Sequence, residues 1–511
     1  MADRPIRPQK VAPRSFESVT LGLGISLPSG DHSSLVSGVA ISAQAVLPGD
    51  VFVALPGRVH HGASFAPQAI EQGASAILTD PEGAKIITDS AIPIATHPEP
   101  RTVLGRLARA IYDPGVPLPS VLAVTGTNGK TSVAFYLEAI LRQLGHLTAL
   151  SNSTERRVAG EVFKTPLTTP EANELQALLA IGAERGVSYL ALEASAQAIE
   201  RHRLDGIVAS VSGFTNLSHD HFEDYGDMEA YLAQKLPLFS PAMSHRAVIS
   251  LESTWGAKVV RNCSVPFVTI AHEGSAEATW TYRITTSDDQ GEQFVLHGPT
   301  GSVHTSISAL GHHMVRNAAL AIAMVVEAGV SIEKLDVIDV EHGGIDVTVP
   351  GRIERIGSFS EVAVFVDAGR SADAYTNTFS TLRERFSGRL IVVAGTSGDR
   401  DRSKRPVMGE IAARMSDLLI ICDDDPRKED PAQIRADLLE GARTVASADI
   451  REIPDPTDAI RAAVADAQPG DAVVWMGPGS QHYRDIGGVR VPYSARDEAL
   501  RALTDAGWLG E

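Results

Sequence analysis

Residues 121–145, VLAVTGTNGKTSVAFYLEAILRQLG, run from an apolar stretch through a glycine-punctuated turn into an amphipathic one. That order predicts a short buried strand over 121–124, a turn over 125–130 and a helix after it. Such a junction can cradle phosphate, because turn N–H groups and the helix dipole both face the anion. Lys130 is placed to neutralise β- and γ-phosphates, and the Thr131 hydroxyl to ligate Mg²⁺. The spacing is not the usual G-x-x-x-x-G-K-[ST], since only Thr127 and Asn128 separate Gly126 from Gly129. The bland alternative is an ordinary strand–helix turn that contains Gly-Lys. The reading taken is a nucleoside triphosphate site.

A chain of 511 residues is too long for one core, so several domains are expected. Hydrophobic residues at 43% and charged residues at 21% match an ordinary globular enzyme. A formal charge of −18 argues against nucleic acid or an anionic membrane as partner. Anionic small molecules must then be held by local Arg and Lys clusters. Cys263 and Cys422 alone cannot build a disulfide framework or a zinc cluster. No apolar h-region opens the sequence, and no run approaches about 18 apolar residues, so a cytoplasmic location is expected.

Residues 1–115 read as a small α/β domain, with Pro- and Arg-rich residues 1–15 expected to fray. Short strands are predicted at 39–41, 46–57 and 74–80, and a helix at 65–73. A proline-rich linker at 113–120 leads into a second domain, 116–349, whose strands alternate with helices in the pattern of a mostly parallel sheet. Residues 255–308 look more irregular, with alternating β-like residues, and a helix is predicted within 311–329. The third domain, 350–511, repeats the grammar: VAVFVDAG, LIVVAGT, DLLIICDDD and DAVVWMGPG are apolar strands ending in Gly or Asp. Helices predicted at 374–385, 407–414, 431–442 and 457–467 complete a Rossmann-like open sheet, whose ligands bind at strand carboxyl ends.

Polar groups also end strands of the central domain. LALEAS puts Glu193 at a strand end, and GFTNLSHDH puts Asn216, His219, Asp220 and His221 at another. A carboxylate and an imidazole near a P-loop Thr could complete a shell for Mg²⁺. Lys235, in AQKLPLF, reads as part of an apolar helix, where a snorkelling lysine is the plain interpretation.

In this order the motifs resemble the Mur ligases of peptidoglycan synthesis, and most closely their MurE type, over nearly the whole chain. The resemblance implies a three-domain architecture with a central P-loop domain and a C-terminal Rossmann-like domain. It makes GTNGKT (Gly126, Thr127, Asn128, Gly129, Lys130, Thr131), with flanking Thr125 and Ser132, the ATP loop. Asn317, Arg352 and Asp367 become further ATP contacts. The family's TTP element matches Thr168-Thr169-Pro170, which with Ser195 and Arg203 would hold the UDP-muramoyl substrate. Mg²⁺ would be bound by Thr131, Glu193, His221 and Lys235, the last carbamylated as in this family. In this reading Lys130, Glu193, His221 and Lys235 carry the catalysis. The stretch GDRDRSKRPVMGEIA (398–412) places Arg400 to meet the amino-acid carboxylate, and Asp424, Asp425, Pro426 and Arg427 stand where MurE enzymes for meso-diaminopimelate carry DNPR. Gly477 and Gln481 fall in the same pocket.

Four positions depart from the family pattern. The usual SSH is Ser195-Ala196-Gln197, and the Tyr-Ala-His after the ATP Asp is Ala368-Gly369-Arg370. GKGHE becomes GPGSQ, replacing its Glu by Gln481, and the uridine-side DSR becomes Ser42-Ala43-Gln44. The implied function is ATP-dependent addition of the third amino acid, a diamino acid, to UDP-N-acetylmuramoyl-dipeptide by a monomer. Lysine, ornithine, diaminobutyrate, homoserine and diaminopimelate remain open. The competing readings are another amide ligase of the superfamily, such as a folylpolyglutamate synthase, and a non-catalytic nucleotide-binding homologue.

Overall fold

Three principal β-sheets follow one another along the chain, each with its own apolar core. The computed structural model describes residues 6–27, 33–57, 59–88, 90–163, 167–219, 222–357 and 361–509. The first sheet is parallel, in the order Gly38–Ala40, Asp50–Ala54, Ala76–Thr79 and Ile94–Thr96. The helix expected at 65–73 is shorter, Ala66–Glu71, entered through a 3₁₀ turn at Gly62–Phe65. A second helix, Pro100–Ile111, has no counterpart in the sequence reading. It buries Val103, Leu104, Leu107, Ala108 and Ile111, a helical face that shares a core with Ala172, Ala177 and Ala180 of the next domain.

The central sheet has eleven strands. Its interior is parallel, in the order Thr148–Ser151, Tyr189–Glu193, Ser120–Thr125, Val211–Phe214, Ala247–Ser250, Phe267–His272 and Trp280–Asp288. Both margins are antiparallel, one of them the meander Trp280–Asp288, Gly291–Gly298 and Gly301–Ile307. The apparent irregularity of residues 255–308 is therefore this meander, preceded by a helix at Thr254–Asn262. Helices Lys130–Gln143 and His312–Glu327 pack together on one face, and Ala172–Glu184 covers the other.

The third sheet runs Glu354–Ile356, Ala363–Asp367, Ala472–Met476, Leu390–Ala394, Leu418–Ile421 and Asp449–Glu452, with only the first strand antiparallel. Near-continuous apolar runs such as AVVWM and LIVVA suit strands covered on both faces. Its helices are Ala372–Arg385, Lys404–Met415, Pro431–Ala442, Pro456–Asp466 and Ala495–Asp505. Lys404–Met415 starts earlier than expected because Pro406 falls in the first turn, where its missing N–H costs nothing.

The central and third domains meet through a nearly water-free ion pair. Glu292 and Arg385 have side chains 0% and 4% exposed, and Glu292 Oε1 also accepts the Gly311 N–H at 2.7 Å. Arg385 is further anchored by Ser287 Oγ at 2.6 Å and the Thr381 carbonyl at 3.0 Å. His219 Nε2 lies 3.0 Å from Asp401 Oδ2 across the same boundary.

Candidate active site

The phosphate loop is held by the segment after the Val211–Phe214 strand. Asn216 accepts the Thr127 N–H on its carbonyl and the Asn128 N–H on Oδ1, and its Nδ2 donates to the Asn128 carbonyl. Thr215 Oγ1 donates to that carbonyl at 2.7 Å, and Ser218 N–H donates to Thr127 Oγ1. Thr215, Asn216 and Ser218 thus brace the loop from behind. Glycine is required at both ends of the turn. A Cβ at Gly126 would lie 1.9 Å from Thr215 Oγ1, and one at Gly129 2.5 Å from Asn317 Oδ1, each residue having positive φ.

Helix Lys130–Gln143 starts at the loop, so its first N–H groups face the cleft. Thr131 Oγ1 donates to Glu193 Oε2 at 2.9 Å and lies 3.0 Å from Ser153 Oγ, while Ser153 N–H donates to the same Glu193 oxygen. Two hydroxyls and a carboxylate therefore converge, hard oxygen donors suited to Mg²⁺. Lys130 Nζ donates to the carbonyls of Gly126 and Thr127.

Lys235 is not within a helix. It sits between Met228–Ala233 and the 3₁₀ turn Leu236–Phe239, because Pro237 cannot continue the α-helical ladder. Nor does it snorkel: the residue is 1% exposed, lies over the Tyr231 ring, and donates to the Gly126 carbonyl at 3.0 Å. Asp220 and His221 lie outside the described residues. Among the described residues no three His, Cys, Asp or Glu side chains form a metal cluster.

The third domain supplies the opposite wall. A cleft of about 930 Å³ is lined by Lys130, Thr131, Glu193 and Asn317 on one side and Arg352, Asp367 and Arg370 on the other. Arg352 Nη2 is 3.4 Å from Thr131 Oγ1. Ile353 beside it has φ 44°, rare for a β-branched residue, and its N–H is gripped by Asp367 Oδ2 at 2.8 Å. Burial pushes the Asp367 carboxyl up, with Arg352 and the N–H groups of Ile353 and Gly369 acting downward. His313, which the sequence reading missed, also lines the cleft. Burial drives its pKa down to about 3, helped by Arg316, His312 and Arg385, leaving a neutral imidazole that can donate and accept. Asn317 Oδ1 is buried without a hydrogen-bond partner.

Beside this cleft Thr169, Ser195 and Arg203 come together. Thr169 Oγ1 donates to the Glu193 carbonyl at 2.8 Å and accepts the Ser195 N–H, while Arg203 Nη1 donates to the Thr169 carbonyl. Glu171 ties Arg203 to Arg101 of the first domain. Thr168 is half-buried next to this group.

Beyond the third sheet's strand ends lies a pocket bordered by Asp423, Asp424, Asp425 and Gln481. The three acids do not pair with Arg427: Asp423 binds Arg435, while Asp424 and Asp425 lie 3.0 and 3.5 Å from Arg370. Arg427, at φ 53°, is fixed by backbone bonds to Asp485 and Gly487. Burial lowers its pKa, Arg400 and Arg370 add to the effect, and Asp425 and Asp485 oppose it, so these charges share one neighbourhood. Gly477 N–H bonds the Asp367 carbonyl, linking pocket to cleft, and Pro426 is buried beneath. Arg405, unremarked in the sequence motif, is 1% exposed and pairs with both Glu429 and Asp437. Glu429 in turn accepts the Asp399 N–H, fixing the loop that carries Arg400.

Comparison with known families assigns residues 35–112 to the Mur ligase family catalytic domain, 124–325 to the Mur ligase middle domain, and 351–479 to the Mur ligase glutamate ligase domain. The chain belongs to the Mur ligase family. This Mur ligase is 43% identical to a UDP-N-acetylmuramyl-tripeptide synthetase of Leifsonia xyli subsp. xyli, over 99% of each chain. It is 37% identical to a UDP-N-acetylmuramoyl-L-alanyl-D-glutamate–2,6-diaminopimelate ligase of Streptomyces avermitilis, over 96% of this chain and 97% of the relative. A solved structure of a ligase of that name superposes with TM-score 0.68 at 28% identity, covering 97% of this chain and all of the other. The resemblance to the MurE type and the three-domain α/β architecture are borne out. Among the described residues of this Mur ligase, no helix is long and apolar enough to cross a membrane.

Proposed function

We propose that this Mur ligase joins a free diamino acid to UDP-N-acetylmuramoyl-dipeptide, at the expense of ATP, as the third residue of the stem peptide. The observation that carries the reading is the meeting of Lys130, Thr131 and Glu193 with Arg352 and Asp367 in one cleft. On one side it adjoins Thr169, Ser195 and Arg203; on the other it adjoins the pocket bordered by Asp424, Asp425 and Gln481, which in this reading Arg400 and Arg427 serve. Three substrates need three adjoining sites. A monomer working in the cytoplasm is sufficient for this arrangement.

A carboxylate is a poor electrophile, so the γ-phosphoryl group passes to it first, giving an acyl phosphate and ADP. The amine nitrogen then attacks the acyl carbon, and the tetrahedral intermediate collapses with loss of phosphate and of the amine proton. Lys130 and Arg352 stabilise charge on the phosphoryl oxygens, and the helix N-terminus assists. Thr125, Gly126, Thr127, Asn128, Gly129 and Ser132 shape the phosphate cradle, with Asn317 and His313 at the base. Thr131, Glu193 and Ser153 would hold Mg²⁺, joined in this reading by His221 and carbamylated Lys235. Mg²⁺ bound there supplies positive charge to the transferring group. Arg203 and Ser195 orient the dipeptide end, and Arg400 and Arg427 take carboxylate of the incoming amino acid. The docked third domain excludes water that would hydrolyse the acyl phosphate.

Phosphate release with ATP and UDP-muramoyl-dipeptide, scanned over lysine, ornithine, diaminobutyrate, homoserine and diaminopimelate, tests the reading. One strongly stimulating amino acid is expected. Silence across the panel would overturn it.

A further inference from the structure

Arg370 stands where two sites touch. It follows Asp367 at the end of the Ala363–Asp367 strand, lines the nucleotide cleft, and is 25% exposed. Its Nη2 lies 3.0 Å from Asp424 Oδ2 and 3.5 Å from Asp425 Oδ2, and both carboxylates border the adjoining pocket. Those side chains are 5% and 6% exposed, so each needs a cation or a proton.

The pairing is incomplete. The Asp424 Oδ2 contact lacks hydrogen-bond geometry, so this buried oxygen has no hydrogen-bond partner, and neither has Arg370 Nε. Of the other nearby cations, Arg435 pairs with Asp423, Arg484 Nε donates to the Asp424 backbone carbonyl, and Arg427 acts on Asp425 through space without an ion pair among the described residues. Burial acts to lower the Arg370 pKa, but Asp424 and Asp425 outweigh it, and the net shift is upward. The guanidinium is a permanent charge held by two carboxylates that it does not fully satisfy. An ammonium, with three donors on a compact centre, could satisfy them better.

We propose that Arg370 is the internal counter-cation of the amino-acid pocket: it competes with an incoming ammonium for Asp424 and Asp425, and so sets how strongly the pocket prefers an amino acid with a second amine. This rests on the reading of that pocket as the amino-acid site. With Arg370 in place, two acids and one cation leave the pair one net negative charge. Without it, the two acids must take up an ammonium or share a proton, and they draw an ammonium more strongly. Arg370 is therefore a specificity-determining residue that need not touch the reacting atoms.

The test is calorimetric binding of L-ornithine and of L-norleucine, its methyl-for-ammonium counterpart, to the full chain saturated with ADP and Mg²⁺. In Arg370→Gln the preference for ornithine over norleucine is expected to rise at least tenfold over the unsubstituted protein. Arg370→Lys, which keeps the charge, should stay within about threefold of it, tenfold corresponding to about 1.4 kcal/mol. Asp424→Asn provides a reading in the opposite direction should Arg370→Gln not fold: the preference should fall at least tenfold. An unchanged preference in Arg370→Gln or in Asp424→Asn overturns the proposal. If ADP binds but neither amino acid binds any of the proteins, the pocket assignment fails, and Arg370's role with it. Binding to the unsubstituted protein with a static preference removes Arg370 alone.

Discussion

Lys130 and Lys235 donate to the same backbone carbonyl, that of Gly126, at 3.1 and 3.0 Å. Two ammonium groups on one acceptor repel each other, and Lys235 is too buried for water to screen the charge. A carbamate on Lys235, as proposed above, would convert that repulsion into attraction and would create an oxygen ligand beside the phosphate loop. Lys235→Ala is expected to abolish ligase activity, with partial recovery on addition of a short-chain carboxylate such as acetate. Full activity in the variant would remove the carbamate from the mechanism.

Glu193 Oε2 accepts from both the Thr131 hydroxyl and the Ser153 N–H. An amide in its place keeps the shape and loses the charge. Glu193→Gln is expected to lower kcat by about 10²–10³-fold, in the range seen on removing one preorganised electrostatic group, and to move the Mg²⁺ requirement to higher concentration. His221→Ala should move the same titration. Phosphate release measured across an Mg²⁺ series decides both, and an unshifted curve would place the residue outside the metal shell.

Asp423 pairs with Arg435, and Asp424 and Asp425 with Arg370, so among the described residues none of these three acids pairs with Arg427, the proposed carboxylate-binding group. Arg427→Ala should raise the amino-acid KM at least tenfold and leave the ATP KM within about twofold, a loss of one charge-assisted contact. Equal rises in both constants would reassign Arg427 to a purely structural role.

Glu429 is held by Arg405, which brings its pKa from 4.5 down to about 2 despite some opposing burial. A depressed carboxylate stabilises the folded protein above its unfolded pKa and loses that contribution as pH falls through the folded one. The protein should therefore lose stability between about pH 4.5 and 2. Denaturant midpoints taken over that window in Glu429→Gln should show a flatter acid limb. Matching limbs would contradict the assignment.

Glu292 and Arg385 lock the central domain to the third. Glu292→Ala leaves a buried guanidinium with neutral hydrogen-bond partners and one exposed carboxylate, Glu384, 3.8 Å away, and breaking a buried pair costs about 3–5 kcal/mol. Because the Ser287 hydroxyl and Thr381 carbonyl remain, the lower end is expected. Urea unfolding measures it, and a shift under about 1 kcal/mol would mean the pair contributes little to docking.

Features encoded locally were legible in the sequence. The strand–glycine–helix junction at Lys130 and the strands ending at Glu193 and Asp367 each depend on neighbours a few residues away. What escaped depended on distant partners. Arg370 stood only as a departure from the family's Tyr-Ala-His, since nothing near it in the chain reveals Asp424 and Asp425 across the sheet. Arg405 passed as motif filler because Glu429 and Asp437 lie on other elements. Lys235 was misread because YLAQKLPLF is apolar enough for a helix, and the weight of Pro237 was underestimated. The Pro100–Ile111 helix escaped for a different reason: its buried face completes a core that spans two domains.

The contact between Arg352 and Thr131 bears on timing as well as binding. With 3.4 Å between guanidinium and hydroxyl, the mouth of the phosphate cradle is already spanned by the opposite wall. A ligand that draws on the Thr131 hydroxyl takes it from Arg352, so loading the cradle and loosening one link between the two walls become a single event.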